Sequence, residues 1–244
     1  MFKSPARPAP GRAPLVNEPI RGISSMATRQ LLAELLAAHE QATGCSVAME
    51  SVGGVDAARR VQTGEAFDIV VLASDVIDQL IAAGHLQAGS KVDLVHSDVA
   101  VAVRAGAARP DIATEEALKR AVQSAGSIGY STGPSGVALS KLFEHWGIAD
   151  AVRQRTVQAP PGIPVGTLVA RGEVALGFQQ RSELMHLDGI DVVGPLPAAV
   201  QITTTFSGAV CAASRQTDAA RALLDFMASP PAAATKHRHG MEPA

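Results

Sequence analysis

The chain has 244 residues, 47% of them apolar and 3% aromatic, and its 21 basic and 23 acidic side chains leave a formal net charge of −2. That is enough apolar material for one large globular domain or two modest ones. Lysines and arginines are scattered, which excludes a basic nucleic-acid-binding face, and the few aromatics exclude base-stacking platforms and tryptophan-lined sugar sites. No run approaches the ~20 apolar residues of a membrane-spanning helix.

Residues 1–19, MFKSPARPAPGRAPLVNEP, are proline-rich and basic and read as a disordered tail. They lack the apolar stretch of a secretory signal, so either the protein stays inside the cell or this start is not the natural export leader. From Ile20, IRGISS reads as a short strand ending at Ser24 and Ser25, and a helix over 28–41 turns Leu31, Leu32, Leu35, Leu36 and His39 inward. A second strand, CSVAMES, runs into Gly53 and Gly54, from which a helix over 55–62 starts directly. FDIVVLA, 67–73, is a continuous apolar run of the kind expected for a parallel strand covered on both faces; it ends at Ser74 and Asp75, where a helix over 76–83 begins. This β-α-β-α-β-α order implies right-handed crossovers and a doubly wound sheet.

LVHSDVAVAVR, 94–104, alternates as an extended strand long enough to cross from one lobe to another. A turn from Pro110 to Thr114 caps a helix over 115–124. SIGYSTGPSGVALSKLFEHWG, 127–147, then holds a complete strand, loop and helix. Tyr130 ends the strand, residues 131–136 form a tight polar loop, and Val137, Leu139, Leu142, Phe143 and Trp146 recur at helical spacing. QAPPGIPVG, 158–166, leads into a helix over 167–171. Residues 174–178 read as a buried strand, with Gln179, Gln180, Arg181 and Ser182 emerging at its carboxyl end before a helix over 183–186.

An edge-like strand at 190–193, a return crossing at 201–212 and a helix over 218–228 complete the pattern. The last stretch, PPAAATKHRHGMEPA, reads as a polar tail in which His237 and His239 are solvated charges without a third metal ligand. Cys45 and Cys211 each lie beside an expected buried strand and read as small core residues, neither a disulfide nor a zinc pair. The expected fold is α/β, with two doubly wound α/β lobes joined by two extended crossings: residues 20–97 with 205–244, and 98–204.

Ligands of doubly wound sheets sit beyond the carboxyl ends of the strands. Here those ends carry small neutral residues: Ser24, Ser25 and Ala27; Gly53 and Gly54; Ser74; Ser131, Gly133, Ser135 and Gly136; the loop around Gly162; and Gln179 with Gln180. Most precede a helix, whose first N–H groups lack intrahelical partners and carry the positive end of the macrodipole, so an anion can be held without a charged side chain. One such loop alone is an ordinary capped turn. Their recurrence points to a site.

The segments ATGCSV, FDIVVLASD, PSGVALSKLFEHWGI, VARGEVALGF and SPPAAATKHRHGMEP, in this order, resemble the periplasmic solute-binding proteins of the molybdate-binding type, from about Ile20 to the C-terminus. The resemblance implies a type II periplasmic binding protein fold: a monomer without cofactor or metal that captures a small anion between two lobes and serves an ABC transporter permease. In those receptors two serine hydroxyls, backbone N–H groups and a tyrosine hydroxyl hold a dianion. Carried over one position at a time, the first serine falls on Ala27, just past Ser24 and Ser25, and the second on the Gly53 and Gly54 loop. The backbone donors fall on Ser135 and near Gly162, and the tyrosine falls on Gln180. The backbone frame is thus retained while the hydroxyls are lost or displaced. That pattern suits a larger planar polycarboxylate held by Gln179 and Gln180 in the space beside the glycine pair. Some relatives in this branch are associated with tricarboxylic acids, including an aconitate-isomerising activity.

Two readings stand. As a receptor, the preferred one, the protein needs only donors lining a cleft, for an oxyanion such as molybdate or for a small organic polycarboxylate. As an isomerase of a tricarboxylic acid it needs a base within reach of a carbon acid, and Asp75, Tyr130 and Glu183 are the ionisable residues nearest the expected strand ends. Asp75 and Glu183 read equally well as helix-start carboxylates, and Tyr130 as a pocket wall. Arg181 reads either as a carboxylate clamp or as a surface residue.

Overall fold

The computed structural model describes residues 18–160 and 162–244. The tail expected over 1–19 lies outside them except for Glu18 and Pro19. The first lobe opens with β1 (Ile20–Ser25), a 3₁₀ turn (Met26–Thr28) and α1 (Arg29–Thr43), followed by β2 (Val47–Val52), α2 (Gly54–Gln62), β3 (Ile69–Ala73) and α3 (Ser74–Ala82). In α1 the buried residues are Leu31, Leu32, Leu35, Leu36 and His39, one stripe at helical spacing, and Gly44 closes the helix in the left-handed region at φ 71°. All five residues of β3 are buried, as its unbroken apolar run requires. β1 pairs in parallel with β2 and with β3, which brings Ser24 opposite both Ser51 and Val71 and so aligns the three carboxyl ends.

β4 (Val92–Arg104) is the long strand. After it come α4 (Glu115–Ser124), β5 (Ile128–Tyr130), α5 (Pro134–His145), α6 (Ala149–Val152), β6 (Thr156–Gln158), α7 (Val165–Ala170), β7 (Leu176–Gln180), α8 (Arg181–Leu184) and β8 (Ile190–Pro195). The chain then returns through β9 (Thr203–Val210), α9 (Thr217–Ala228), α10 (Ala233–Arg238) and β10 (Met241–Pro243). The strand order is β2-β1-β3-β9-β4-β7-β5-β6, with β8 and β10 also on β4.

The strands form one hydrogen-bonded path because β4 serves both lobes. Up to Asp98 it pairs with β9 and β10, and from Val99 onward with β7 and β8. The buried apolar clusters respect the same change of partner. Leu32, Ile69, Val95 and Phe206 share one cluster and Ile23, Leu72, Ile77 and Ala209 another, whereas Val101, Leu118, Ile128, Phe143 and Phe178 belong to a third. The two α/β lobes therefore have their own cores, and β4 and β9 carry the chain between them.

Two expectations are corrected. β7 runs through Gln179 and Gln180, which are 3% and 4% exposed, so neither amide projects from a loop. The C-terminal stretch is not a polar tail: α10 and β10 are ordered, β10 pairs antiparallel with β4, and Ala232, Lys236 and Met241 are buried. Cys211 is buried and Cys45 half-buried, both as free thiols, and burial followed by the nearby Asp68 charge pushes the Cys211 thiol up to about 12.

Candidate functional site

The carboxyl ends of β1, β2 and β3 form the first lobe's edge. Ser24 is fully buried, and its Oγ shares a 2.8 Å hydrogen bond with Ser51 Oγ, which ties the two strands together. Ser25 Oγ accepts from Ala27 N, and the Ser25 carbonyl accepts from Thr28 Oγ1, so this serine shapes the 3₁₀ turn. A β-carbon on Gly54 would lie 3.7 Å from Ser25 Oγ, which places the β2–α2 loop beside the β1–α1 turn; at Gly53 the space is open. Ser74 is half-buried at the start of α3, and Asp75 beside it is exposed. The carboxylate of Asp75 makes no hydrogen bond or ion pair among the described residues.

In the second lobe β5 pairs in parallel with β6 and β7, so the loops after Tyr130, Gln158 and Gln180 leave from one edge. The Gly133 carbonyl accepts from Gly136 N at 3.0 Å and Val137 N at 3.1 Å, which starts α5. The hydroxyls of Ser131 and Ser135, both half-buried, have no partner among the described residues and remain free donors. A β-carbon on Gly136 would overlap the Ser131 carbonyl oxygen, whereas one on Gly133 would meet nothing closer than 3.7 Å. Gly136 is thus demanded by the loop's own backbone rather than by ligand space. Exposed Gly162 sits at φ 80°, which favours glycine.

Tyr130, at the carboxyl end of β5, is a pocket wall. Its ring stands edge-on to Phe143, with centroids 6.4 Å apart, and borders two adjoining cavities of about 270 and 300 Å³ with Ser140, Glu144 and Gln158, between α5 and the edge strand β6. Gly136 of the β5–α5 loop lines the first of these cavities as well.

The polar network at the end of β7 is more specific. Gln179 Oε1 accepts from Gly166 N at 3.2 Å, which fixes the amide so that Nε2 donates to Glu183 Oε1 at 2.8 Å. Burial pushes the Glu183 carboxyl up to about 7, against the opposing effect of the Gln179 hydrogen bond. Gln180 Nε2 donates to Thr204 Oγ1 of β9 at 2.8 Å, while its Oε1 and the hydroxyl of Ser97 are buried without partners. Gln180, expected as a ligand donor, therefore braces β7 against the crossing strand β9. Arg181 is exposed, with its stem against Gly240, and lies on the surface.

The two edges meet. Ser182 Oγ of α8 donates to the Ala27 carbonyl of the first lobe at 2.9 Å. Nearby, His239 Nε2 lies 2.8 Å from Glu34 Oε2, and its Nδ1 lies 3.3 Å from Nε2 of His186 in the second lobe. His239, with its side chain 13% exposed, is thus no solvated charge; His237 remains half-exposed and pairs with Glu242. Thr204, His186 and Glu34 escaped the sequence reading, because contacts between residues so far apart in the chain leave no local pattern.

With this geometry in view, residues 20–242 match the family of bacterial extracellular solute-binding proteins. The chain belongs to that family. It is 38% identical over 226 residues to an aconitate isomerase of a Pseudomonas species, spanning 91% of this chain and 86% of that one. The periplasmic molybdate-binding protein of Azotobacter vinelandii superposes with a TM-score of 0.75 at 18% identity, covering 91% of this chain and 98% of that one. A sulfate-binding protein of Mycobacterium tuberculosis gives 0.73 at 18% identity, covering 92% and 86%. The fold is thus that of the type II periplasmic binding proteins. No helix among the described residues is long and apolar enough to cross a membrane.

Proposed function

We propose that the protein binds a small unsaturated polycarboxylate between its lobes and isomerises it, as an aconitate isomerase. The observation that carries this reading is the donor-rich edge: free hydroxyls at Ser131 and Ser135, the starts of α2, α3 and α5, and Glu183 as a half-buried carboxyl with no ion-pair partner among the described residues. Donors of this kind suit several carboxylates at once, and a carboxyl near neutral pKa suits proton transfer. The 38% identity to an aconitate isomerase supports the chemistry. Closure is assigned to rotation of residues 20–97 with 205–244 against 98–204, about the crossings where β4 changes partners. The test follows cis- and trans-aconitate by proton NMR in D₂O with the purified protein. Interconversion is expected; a protein that leaves both acids unchanged refutes the enzyme reading.

The family and the oxyanion-binding structures favour a second reading, a receptor outside the cytoplasm that passes a small anion to an ABC transporter. A thermal-shift panel of molybdate, sulfate, citrate and the aconitates separates the two, because a ligand at 100 times its Kd adds about 2.7 kcal/mol. Stabilisation by an acid that is never converted selects the receptor.

A further inference from the structure

Resting on the isomerase reading, we propose that Glu183 is the residue that carries the proton between the carbons of the substrate, with Gln179 as its positioning residue. Of the three ionisable candidates at the strand ends, Asp75 is exposed and without an orienting partner, and the Tyr130 hydroxyl has no hydrogen-bond partner among the described residues to position it. Glu183 alone is both sequestered and oriented. The orientation is unambiguous: Gly166 N can only donate, so Gln179 must present its oxygen there and its NH₂ to Glu183 Oε1. The other carboxyl oxygen, Oε2, has no hydrogen-bond partner among the described residues, yet it is not one of the sealed, partnerless polar atoms, which are Ser97 Oγ and Gln180 Oε1. It is therefore the atom left open to a ligand.

No cation pairs with Glu183 among the described residues, so nothing stabilises its charge as an ordinary structural ion pair would. The elements packed on α8 are β4, β7, β8 and the 3₁₀ turn, and Gly166 of α7 lies against Leu184. Their titratable groups are Asp93, His96, Asp98 and Arg104 on β4 and Asp191 on β8, beside Arg181, His186 and Asp188 on its own segment. None of them contributes to the displaced titration of Glu183, which comes from burial and is opposed only by Gln179. A burial-tuned carboxyl of this kind can both take and return a proton near neutral pH.

The step is a 1,3-proton shift. Glu183 Oε2 takes a proton from the methylene carbon; that C–H bond breaks, an O–H bond forms, and the electron pair delocalises over the three-carbon unit. The carboxyl then returns the proton to the far alkene carbon. The double bond has moved by one position, the carboxyl is ionised again, and nothing is oxidised or reduced.

The experiment measures cis-to-trans conversion of aconitate by wild type, Glu183→Gln and Gln179→Leu from about pH 5 to about pH 9, with the thermal shift induced by trans-aconitate as an independent readout of binding. Glu183→Gln should lose roughly 100-fold or more in kcat while trans-aconitate still raises its Tm. Wild-type kcat/KM should fall below pH about 7 as Glu183 protonates. Gln179→Leu removes the one contact that lowers this pKa, so its acidic limb should move to higher pH, a displacement that a merely structural role would not produce. Full turnover by Glu183→Gln, or an unmoved limb in Gln179→Leu, overturns the assignment and leaves the isomerase reading standing. No conversion by wild type overturns both.

Discussion

Ser182 Oγ donates to the Ala27 carbonyl at 2.9 Å, a buried hydrogen bond that joins the helix after β7 in one lobe to the 3₁₀ turn after β1 in the other. It belongs to neither crossing strand, so it is a separable fastening between the lobes. Replacing Ser182 with alanine leaves the carbonyl unpaired while the lobes stay together, at a cost of about 1–3 kcal/mol, unless they part and let water in. Ser182→Ala should therefore show a larger radius of gyration without ligand and a lower denaturation midpoint. Scattering and unfolding curves identical to those of the parent would show that the bond does not hold the lobes.

The two glycines of the β5–α5 loop should behave oppositely. At Gly136 a β-carbon overlaps the Ser131 carbonyl oxygen, and the turn must move to admit it. Gly133 has φ −76° and no neighbour nearer than 3.7 Å, so alanine fits the unliganded loop. Gly136→Ala should lose about 1–3 kcal/mol of stability and weaken ligand binding through the displaced loop. Gly133→Ala should stay within about 0.5 kcal/mol of the parent. Parallel urea titrations of the two variants decide this; equal midpoints would mean that the loop is plastic.

What was legible in the chain follows from which forces act locally. The apolar run of β3, the inward stripe of α1 and the Thr114 cap of α4, whose Oγ1 accepts from Ala117 N at 3.2 Å, are set by neighbours within a few residues, and the sequence patterns locate them. Gln179 and Gln180 look like loop residues because they are polar, yet Val99 on β4 opposite Gln180 and the Thr204 hydroxyl draw them into the sheet. The C-terminal segment misleads for the same reason: only the distant strand β4 gives Met241 a place to bury. The strand-end loops could be read as a site, but not the roles within it. Whether Glu183 caps a helix or stands uncompensated depends on Gly166 and Gln179, which no spacing around residue 183 reveals.

The brace at Gln180 makes a different prediction from that of a ligand donor. Its Nε2 is committed to Thr204 and its Oε1 is buried without a partner, so methionine in its place removes an orphaned acceptor along with one hydrogen bond. These two effects oppose each other at about 1–3 and about 0.5–1.5 kcal/mol. Gln180→Met should change stability by less than about 1.5 kcal/mol and leave the affinity for trans-aconitate within a few-fold, as read by calorimetry. A loss of binding beyond tenfold would return Gln180 to the list of ligand donors.

Glu183 also leaves a signature on stability that requires no substrate. Its folded-state value of about 7 lies above the ordinary 4.5, so the folded protein binds this proton more tightly than the unfolded chain does. Below pH 4.5 both states are protonated and the group is neutral in its effect. Stability is then lost as pH rises from 4.5 to about 7, and the loss is complete above that. The displacement corresponds to a penalty of about 3 kcal/mol on the ionised form, an upper figure for a half-buried group. Glutamine keeps the shape and accepts the same hydrogen bond from Gln179 without the charge. Glu183→Gln should therefore unfold at the same denaturant concentration as the parent near pH 4 and at a clearly higher one near pH 8. A gain that is equal at both pH values would trace to packing, and no gain at pH 8 would mean that Glu183 ionises without penalty and is an ordinary helix-start carboxylate.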